Sequence, residues 1–188
     1  KPVAPAMASV VFQPANGNVN SLQCLITPQD SKPLVLHWSC FRLDADGKVT
    51  TPGFSQKVDL GAAAELSATI EADKGRVKLE YRLAPPGNSV AIGSGSISDR
   101  GIEPGTPQVV VNREMDRLTD RSSVLWAVRY VQDGKATGWY ACLAWIDLAG
   151  GQDKSPVSGD QLTQAQKSLT AFVDDHAGAD SKQPAVRP

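Results

Sequence analysis

The chain has 188 residues, of which 41% are hydrophobic and 21% charged, so it can form one folded domain with a substantial core and is not an intrinsically disordered chain. Its 19 Lys and Arg against 20 Asp and Glu give a net charge of −1, and no overall cation surplus favours nucleic acid or an anionic membrane. No apolar run reaches the length of a membrane span, which predicts a soluble chain.

Strand-like segments follow one another along most of the chain, each bounded by Pro, Gly, Asn or Asp clusters. They are predicted at 8–13, 19–27, 34–43, 56–60, 89–97 and 108–112, and in two hairpins. No helical pattern alternates with these strands, roughly ten in number, as it would in a parallel α/β fold. We therefore predict an all-β antiparallel sandwich of two sheets, of immunoglobulin-like or jelly-roll type.

The first hairpin is indicated between 65 and 83, where apolar and polar residues alternate. This pattern is typical of strands with one face in the core and the other in water. Matching the apolar positions predicts Ile70 opposite Val77 and a turn over 72–75. The same register places Glu71 opposite Arg76, a favourable pairing of opposite charges.

The second hairpin is indicated by Asp133-Gly134, a dipeptide that tolerates the positive φ angles of a type I′ turn. Its strands are predicted at 124–132 and 135–148, with Gln132 opposite Lys135 as the closing pair. Both faces of this hairpin are apolar, so each must be covered by another layer or used for binding.

The same pairing places Trp126, Trp139 and Trp145 on one face of the second hairpin. Such a face either belongs to the core between two sheets or binds sugar or protein. Trp145 lies furthest from the turn and is predicted to reach an exposed rim. It is therefore the preferred binding candidate, whereas Trp126 and Trp139 are expected to be structural.

A C-terminal amphipathic helix is predicted at 158–177, because Leu162, Leu169 and Phe172 fall on one stripe. We expect it to dock on the hairpin face without tryptophans, where small residues such as Ala144 allow close approach. The expected organisation is an N-terminal extension (1–7), the sandwich (8–149), this helix packed on the sandwich and a mobile tail (178–188).

The three cysteines, Cys24, Cys40 and Cys142, are too few and too widely spaced for a disulfide-dense scaffold or a zinc site. They are either small buried apolar residues or, if the chain is exported, Cys24 and Cys142 form one bridge between strand-like runs.

Cys24, Trp38 and the Tyr140-x-Cys142 sequence resemble the cysteine, tryptophan and Tyr-x-Cys pattern of immunoglobulin domains. The resemblance covers these residues alone, and Cys142 lies further along the chain than the second cysteine of that family. It implies a sandwich rather than membership of the family.

Arg113, Arg117 and Arg121 would line up on a short helix over 113–121, a geometry suited to an anion or an acidic partner. The alternative is a solvated helix whose arginines are neutralised by neighbouring carboxylates, since exposed ion pairs are common and weak.

The sequence contains no common hydrolase or phosphate-binding motif and predicts no metal site, no cofactor and no enzyme. His37 and Cys40 resemble a base and a nucleophile, but their odd separation on a strand points them to opposite faces. A hydrolase remains an alternative only if distant carboxylates such as Asp99, Glu103 and Asp116 converge.

These features favour a non-catalytic β-sandwich that acts by binding or assembly outside the cytoplasm, in a secreted or periplasmic setting. It would contact a protein or carbohydrate partner, or a second copy of itself, through a sheet face or loop rim, without general nucleic-acid binding. The main alternative is a shell-forming jelly-roll subunit, such as a viral coat protein in a virion.

Overall fold

The computed structural model describes residues 7–13, 21–30, 32–46, 48–73, 76–100 and 105–148, and six residues between 167 and 175. Eleven strands occur in this described part of the chain. They are β1 (Ala8–Phe12), β2 (Ser21–Pro28), β3 (Leu34–Asp44), β4 (Val49–Leu60), β5 (Ala64–Asp73), β6 (Arg76–Ala84), β7 (Gly93–Arg100), β8 (Thr106–Val111), β9 (Arg117–Leu118), β10 (Ser123–Gln132) and β11 (Lys135–Leu148).

The strands form two antiparallel sheets. The six-stranded sheet has the order β7-β6-β5-β2-β1-β9, and the five-stranded sheet has the order β4-β3-β11-β10-β8. Side chains from both sheets share one core, to which Leu22 and Ile70 contribute from the first sheet and Leu36 and Trp126 from the second. The prediction of a mostly β fold with two antiparallel sheets is confirmed, whereas the immunoglobulin-like or jelly-roll type stays a prediction.

A second apolar cluster lies on the other face of the five-stranded sheet. We call this outer surface the covered face. Its buried residues on the strands are Phe41, Leu43, Val124, Ala127, Trp139, Ala141, Leu143 and Trp145. Leu169 and Phe172 pack against them, so the five-stranded sheet is buried on both sides.

The hairpin of β5 and β6 has its predicted faces but not its predicted register. Ile70 lies opposite Leu79 rather than Val77, and Asp73 lies opposite Arg76. The register is therefore shifted by two residues, and only positions 74 and 75 separate the two strands. A shift of two leaves every side chain on its original face, so the hydrophobic pattern fits both registers.

The hairpin of β10 and β11 has the predicted turn. Asp133 and Gly134 have φ angles of 53° and 74°, as a type I′ turn requires, and Gln132 lies opposite Lys135. Beyond the turn, however, Thr137 is an extra residue on β11, because Tyr130 pairs with Gly138 while Val131 pairs with Ala136. This bulge displaces β11 by one position opposite the stretch from Trp126 to Tyr130, which exchanges the two faces of β11 relative to that part of β10. A second irregularity between Val124 and Trp126 restores the register of the turn.

Six residues of the predicted helix fall in the described part of the chain, and all have helical backbone: Lys167, Leu169, Ala171, Phe172, Asp174 and Asp175. Leu169 and Phe172 are buried, whereas Lys167, Ala171, Asp174 and Asp175 are exposed. The other positions of 158–177 lie outside the described residues, so the helix, its bounds and its caps stay a prediction, as do the extension 1–7 and the tail 178–188.

Candidate binding surface

The three tryptophans of the central hairpin do not share a face, which corrects the prediction. Trp126 belongs to the core between the sheets, whereas Trp139 and Trp145 lie on the covered face. The bulge at Thr137 is the cause, because it places Arg129 rather than Val128 opposite Trp139. The prediction paired the residues one by one outward from Gln132 and Lys135, and such a regular pairing contains no bulge. It therefore assigned Trp139 and Trp145 to the wrong face.

None of these tryptophans is available to a ligand. Trp126 and Trp139 are 1% exposed and Trp145 is 4% exposed, so the expectation that Trp145 reaches an exposed rim is wrong. The ring of Phe172 meets Trp139 edge-to-face at a centroid distance of 6.3 Å, and the Arg129 guanidinium lies 5.6 Å from the centre of the Trp139 ring. These contacts make Trp139 part of a packed layer.

The same contacts correct the expected docking face of the C-terminal segment. Leu169 and Phe172 contact the face that carries Trp139 and Trp145, and not the opposite face with Ala144, which lies in the core between the sheets. Two large indole rings provide more apolar surface to bury than small residues do. The assumption that the C-terminal segment docks where small residues allow close approach therefore predicted the wrong face of the hairpin.

Arg113, Arg117 and Arg121 do not form the predicted helical row. Arg117 lies in the short strand β9, whereas the other two lie outside the strands. The Arg113 Nη2 donates a hydrogen bond to the Ser21 carbonyl oxygen at 3.2 Å, and the Arg117 Nε contacts the Asp116 carboxylate at 3.1 Å. After β8 the segment leaves the five-stranded sheet, adds β9 to the edge of the six-stranded sheet and returns to the five-stranded sheet as β10. This excursion takes the place of the predicted helix.

The three cysteines are free and buried, so the expected Cys24–Cys142 bridge is not formed. Cys142 lies directly opposite Cys40 on the neighbouring strand, whereas Cys24 belongs to the other sheet. Burial raises the pKa of the Cys24 thiol to about 12. A hydrogen bond with Cys40, followed by burial, raises the pKa of Cys142. Both thiols therefore stay protonated near neutral pH.

A histidine–carboxylate pair that the sequence did not indicate lies at one end of the covered face. The His37 Nε2 is 3.1 Å from the Asp147 Oδ2, and the imidazole stacks on Trp145 with ring centroids 5.3 Å apart. Ser39, two residues along the same strand, is fully buried and offers no accessible nucleophile. His37 and Cys40 point to opposite faces, as predicted, since Cys40 lies in the core between the sheets.

The carboxylates considered for a hydrolase do not converge. Asp99 lies on β7 and Asp116 next to β9, and these strands are the two opposite edges of the six-stranded sheet. Five strand spacings separate these edges, a distance of about 24 Å at about 4.8 Å per spacing. Glu103 lies outside the described residues.

Among the described residues, the outer face of the six-stranded sheet presents polar side chains to solvent, and we call it the open face. Here β2, β5 and β6 carry a groove of about 310 Å³. Its outward-facing residues are polar and lie in two cross-strand rows, Ser21–Thr69–Glu80 and Gln23–Ser67–Arg82. The intervening residues Leu22, Ala68 and Tyr81 face the core.

On the core side of the sheet, aromatic packing fixes the strands that form the groove. The Tyr81 ring meets Trp38 edge-to-face at a centroid distance of 4.7 Å. Gly95 on β7 leaves room for the Tyr81 ring, because a Cβ at that position would lie 2.8 Å from the Tyr81 hydroxyl oxygen. Side chains on well-packed strands are positioned more precisely than side chains on loops.

The groove carries one anionic and one cationic side chain, and each has a partner. The Lys78 Nζ lies 2.7 Å from the Glu80 Oε1, and this hydrogen bond raises the pKa of Lys78. The Arg82 guanidinium donates to the carbonyl oxygens of Asn88 and Ser89. Glu80 and Arg82 balance each other, so the side chains that line the groove carry no net charge.

Comparison with known protein families, with curated proteins and with solved structures finds no match to this chain. Within the residues that the structure describes, no helix is long and apolar enough to cross a membrane, and no cluster of His, Cys, Asp or Glu could hold a metal ion.

Proposed function

We propose that this protein is a non-catalytic binding protein that takes a small, uncharged, hydroxyl-rich ligand of the saccharide class into the groove on its open face. The observation that carries the proposal is the groove itself, an open site of about 310 Å³ with two rows of outward-facing polar side chains. This volume lies at the small end of the range for ligand pockets, which is about 300–1,000 Å³.

The chemistry of the lining favours a saccharide. The Ser21, Ser67 and Thr69 hydroxyls and the Gln23 amide can each donate and accept hydrogen bonds, as sugar hydroxyls do. Because Glu80 and Arg82 are opposite in charge, no net field in the groove selects an anion or a cation. An uncharged ligand with many hydroxyl groups satisfies both conditions.

A protein partner fits this face less well. Protein interfaces are enriched in aromatic residues at their energetic centre, and hot spots are often Trp or Tyr. Trp126, Trp139 and Trp145 are buried, and the tyrosine beside the groove, Tyr81, packs into the core. The open face therefore supplies hydrogen-bonding groups without an aromatic anchor.

Binding of a panel of neutral di- and trisaccharides, measured by ligand-observed NMR and calorimetry, tests the proposal. Arg82→Gln should weaken binding of any positive saccharide about tenfold or more, a change of about 1.4 kcal/mol. Arg76→Gln is the matched control, because Arg76 lies on the same strand and is also exposed but does not line the groove.

A second matched pair compares Glu80→Gln with Glu71→Gln, both exposed glutamates of neighbouring strands in the same sheet. Only Glu80→Gln should weaken binding. The proposal is wrong if no saccharide of the panel binds at millimolar concentration, or if the groove variants and their controls bind equally well.

A second candidate function, self-assembly, is favoured by one edge of the six-stranded sheet. Among the described strands, the other three sheet edges are poor templates, since β4 contains Pro52, β8 contains Pro107 and β9 has two residues. Strand β7 has eight residues, no proline and exposed serines. Such an edge can pair with the same strand of a second copy.

Sedimentation velocity over a concentration series tests this assembly. The wild-type chain should form a dimer, and Ser96→Lys, which places a charge on the β7 edge, should shift it to monomer. Glu71→Lys introduces the same side chain on β5, an interior strand, and should leave the dimer intact. A wild-type chain that stays monomeric at high concentration would exclude pairing through β7.

A further inference from the structure

Cys40 and Cys142 occupy directly opposed positions on the antiparallel strands β3 and β11. Both side chains point into the core between the sheets. Opposed residues of antiparallel strands have Cα atoms about 4.5–5.5 Å apart. A disulfide accepts Cα separations of about 4.4–6.8 Å, so the backbone already meets this requirement.

The side chains are also close to each other. Side chains of directly opposed strand residues lie side by side on one face of the sheet, with Cβ atoms about 4.5–5.5 Å apart. The interaction with Cys40 is also the largest cause of the raised pKa of Cys142. A cross-strand bond therefore needs no change in strand order or register.

We propose that Cys40 and Cys142 form a cross-strand disulfide when the chain folds in an oxidising environment, and that Cys24 remains a free thiol. Each of the two thiols loses its hydrogen, and a bond forms between the two Sγ atoms. The two electrons and two protons pass to a small-molecule disulfide oxidant, which is reduced to two thiols.

Cys24 is excluded because its strand neighbours provide no sulfur. It lies opposite Phe12 on β1 and Leu66 on β5. On the side of the opposite sheet it lines an apolar cavity together with Leu36 and Trp38. A bridge from Cys24 to Cys142 would have to replace the existing contact between Cys142 and Cys40.

Burial determines when the bond forms. Cys40 is 0% exposed and Cys142 is 2% exposed, so a soluble oxidant does not reach them in the folded protein. During folding both thiols are accessible until the two sheets close over them. Oxidation is therefore expected in refolding and not after addition of the oxidant to the reduced, folded chain.

The test is to refold the full chain with reduced and oxidised glutathione, to block remaining thiols with iodoacetamide in denaturant, and to map the peptides by mass spectrometry. We expect one alkylated cysteine, Cys24, and one linked peptide pair containing Cys40 and Cys142. The urea midpoint of this oxidised form should lie above that of the reduced form.

Two variants distinguish the proposed Cys40–Cys142 pair from nonspecific pairing of any two cysteines. Cys24→Ala should still give the linked pair, whereas Cys40→Ala should leave Cys142 fully alkylated rather than linked to Cys24. Three alkylated cysteines in the refolded wild-type chain, or a linked peptide that contains Cys24, would overturn the proposal.

Discussion

The two sheets of this sandwich differ in what lies on their outer faces. Along β5 buried residues alternate with exposed or half-buried ones, and the open face presents polar side chains such as Thr69 and Glu80 to water. Along β11 nine consecutive residues are buried, because Leu169 and Phe172 pack on the covered face. The aromatic surface is therefore packed, whereas the polar surface is exposed to solvent.

The largest effect in this comparison is expected from Trp139→Ala on the covered face. Removing a large, fully buried side chain should lower the free energy of unfolding by about 3–5 kcal/mol. Thr69→Ala, an exposed position on the open face, should change it by about 0.5 kcal/mol or less. Urea denaturation measures both, and similar losses in the two variants would remove the distinction between the faces.

A smaller loss is expected from Phe172→Ala, which removes the ring that meets Trp139 edge-to-face. Phe172 is 7% exposed and lies at the margin of the cluster, so we expect a loss of about 3 kcal/mol, the low end for a buried phenylalanine. Lys167→Ala, at an exposed position of the same segment, is the control and should be nearly neutral. A neutral Phe172→Ala would show that the C-terminal segment does not cover the sheet.

A third and smaller effect is expected in the core between the two sheets, where the buried Cys24 thiol makes the free energy of unfolding depend on pH. Burial raises the pKa of Cys24 from its ordinary value of 9.0 to about 12. Above pH 9 the unfolded thiol loses its proton while the folded thiol keeps it, so stability falls as the pH rises. Below pH 9 the contribution of the protonated thiol is fully present.

From pH 9 to pH 10 this thiol should therefore remove about 1 kcal/mol of stability. Cys24→Ala should be less sensitive to the same change by that amount, as measured by urea denaturation at each pH. Burial also raises the pKa of Tyr81, but this residue is present in both chains and cancels in the difference. Equal sensitivity in the two chains would contradict the burial of a protonated Cys24.

Local features of the fold could be predicted from the sequence. The Asp133-Gly134 turn follows from residues that tolerate positive φ, and alternation between 65 and 83 indicated a sheet with one face in water. That prediction located the open face, although its register was wrong by two residues. A shift of two preserves the alternation, so the pattern contains no information that excludes it.

Features that depend on one extra residue or on distant strands could not be predicted. The bulge at Thr137 reverses the faces of β11 opposite the stretch from Trp126 to Tyr130 without a clear sequence signal. The contact of His37 with Asp147 and the pairing of Cys40 with Cys142 both require β3 to lie next to β11, although the paired residues are more than a hundred positions apart in the chain. The groove likewise requires the order β2, β5, β6, which no local pattern specifies.

Iodide quenching of tryptophan fluorescence in the wild-type chain tests most directly whether the five-stranded sheet is buried on both sides. Trp38 and Trp126 lie in the core between the sheets, and Trp139 and Trp145 lie on the covered face. All four are at most 4% exposed, so quenching should be a small fraction of that of the urea-unfolded chain, with a single protected population. A biphasic plot in which roughly half of the emission is readily quenched would show that the covered face is open to solvent.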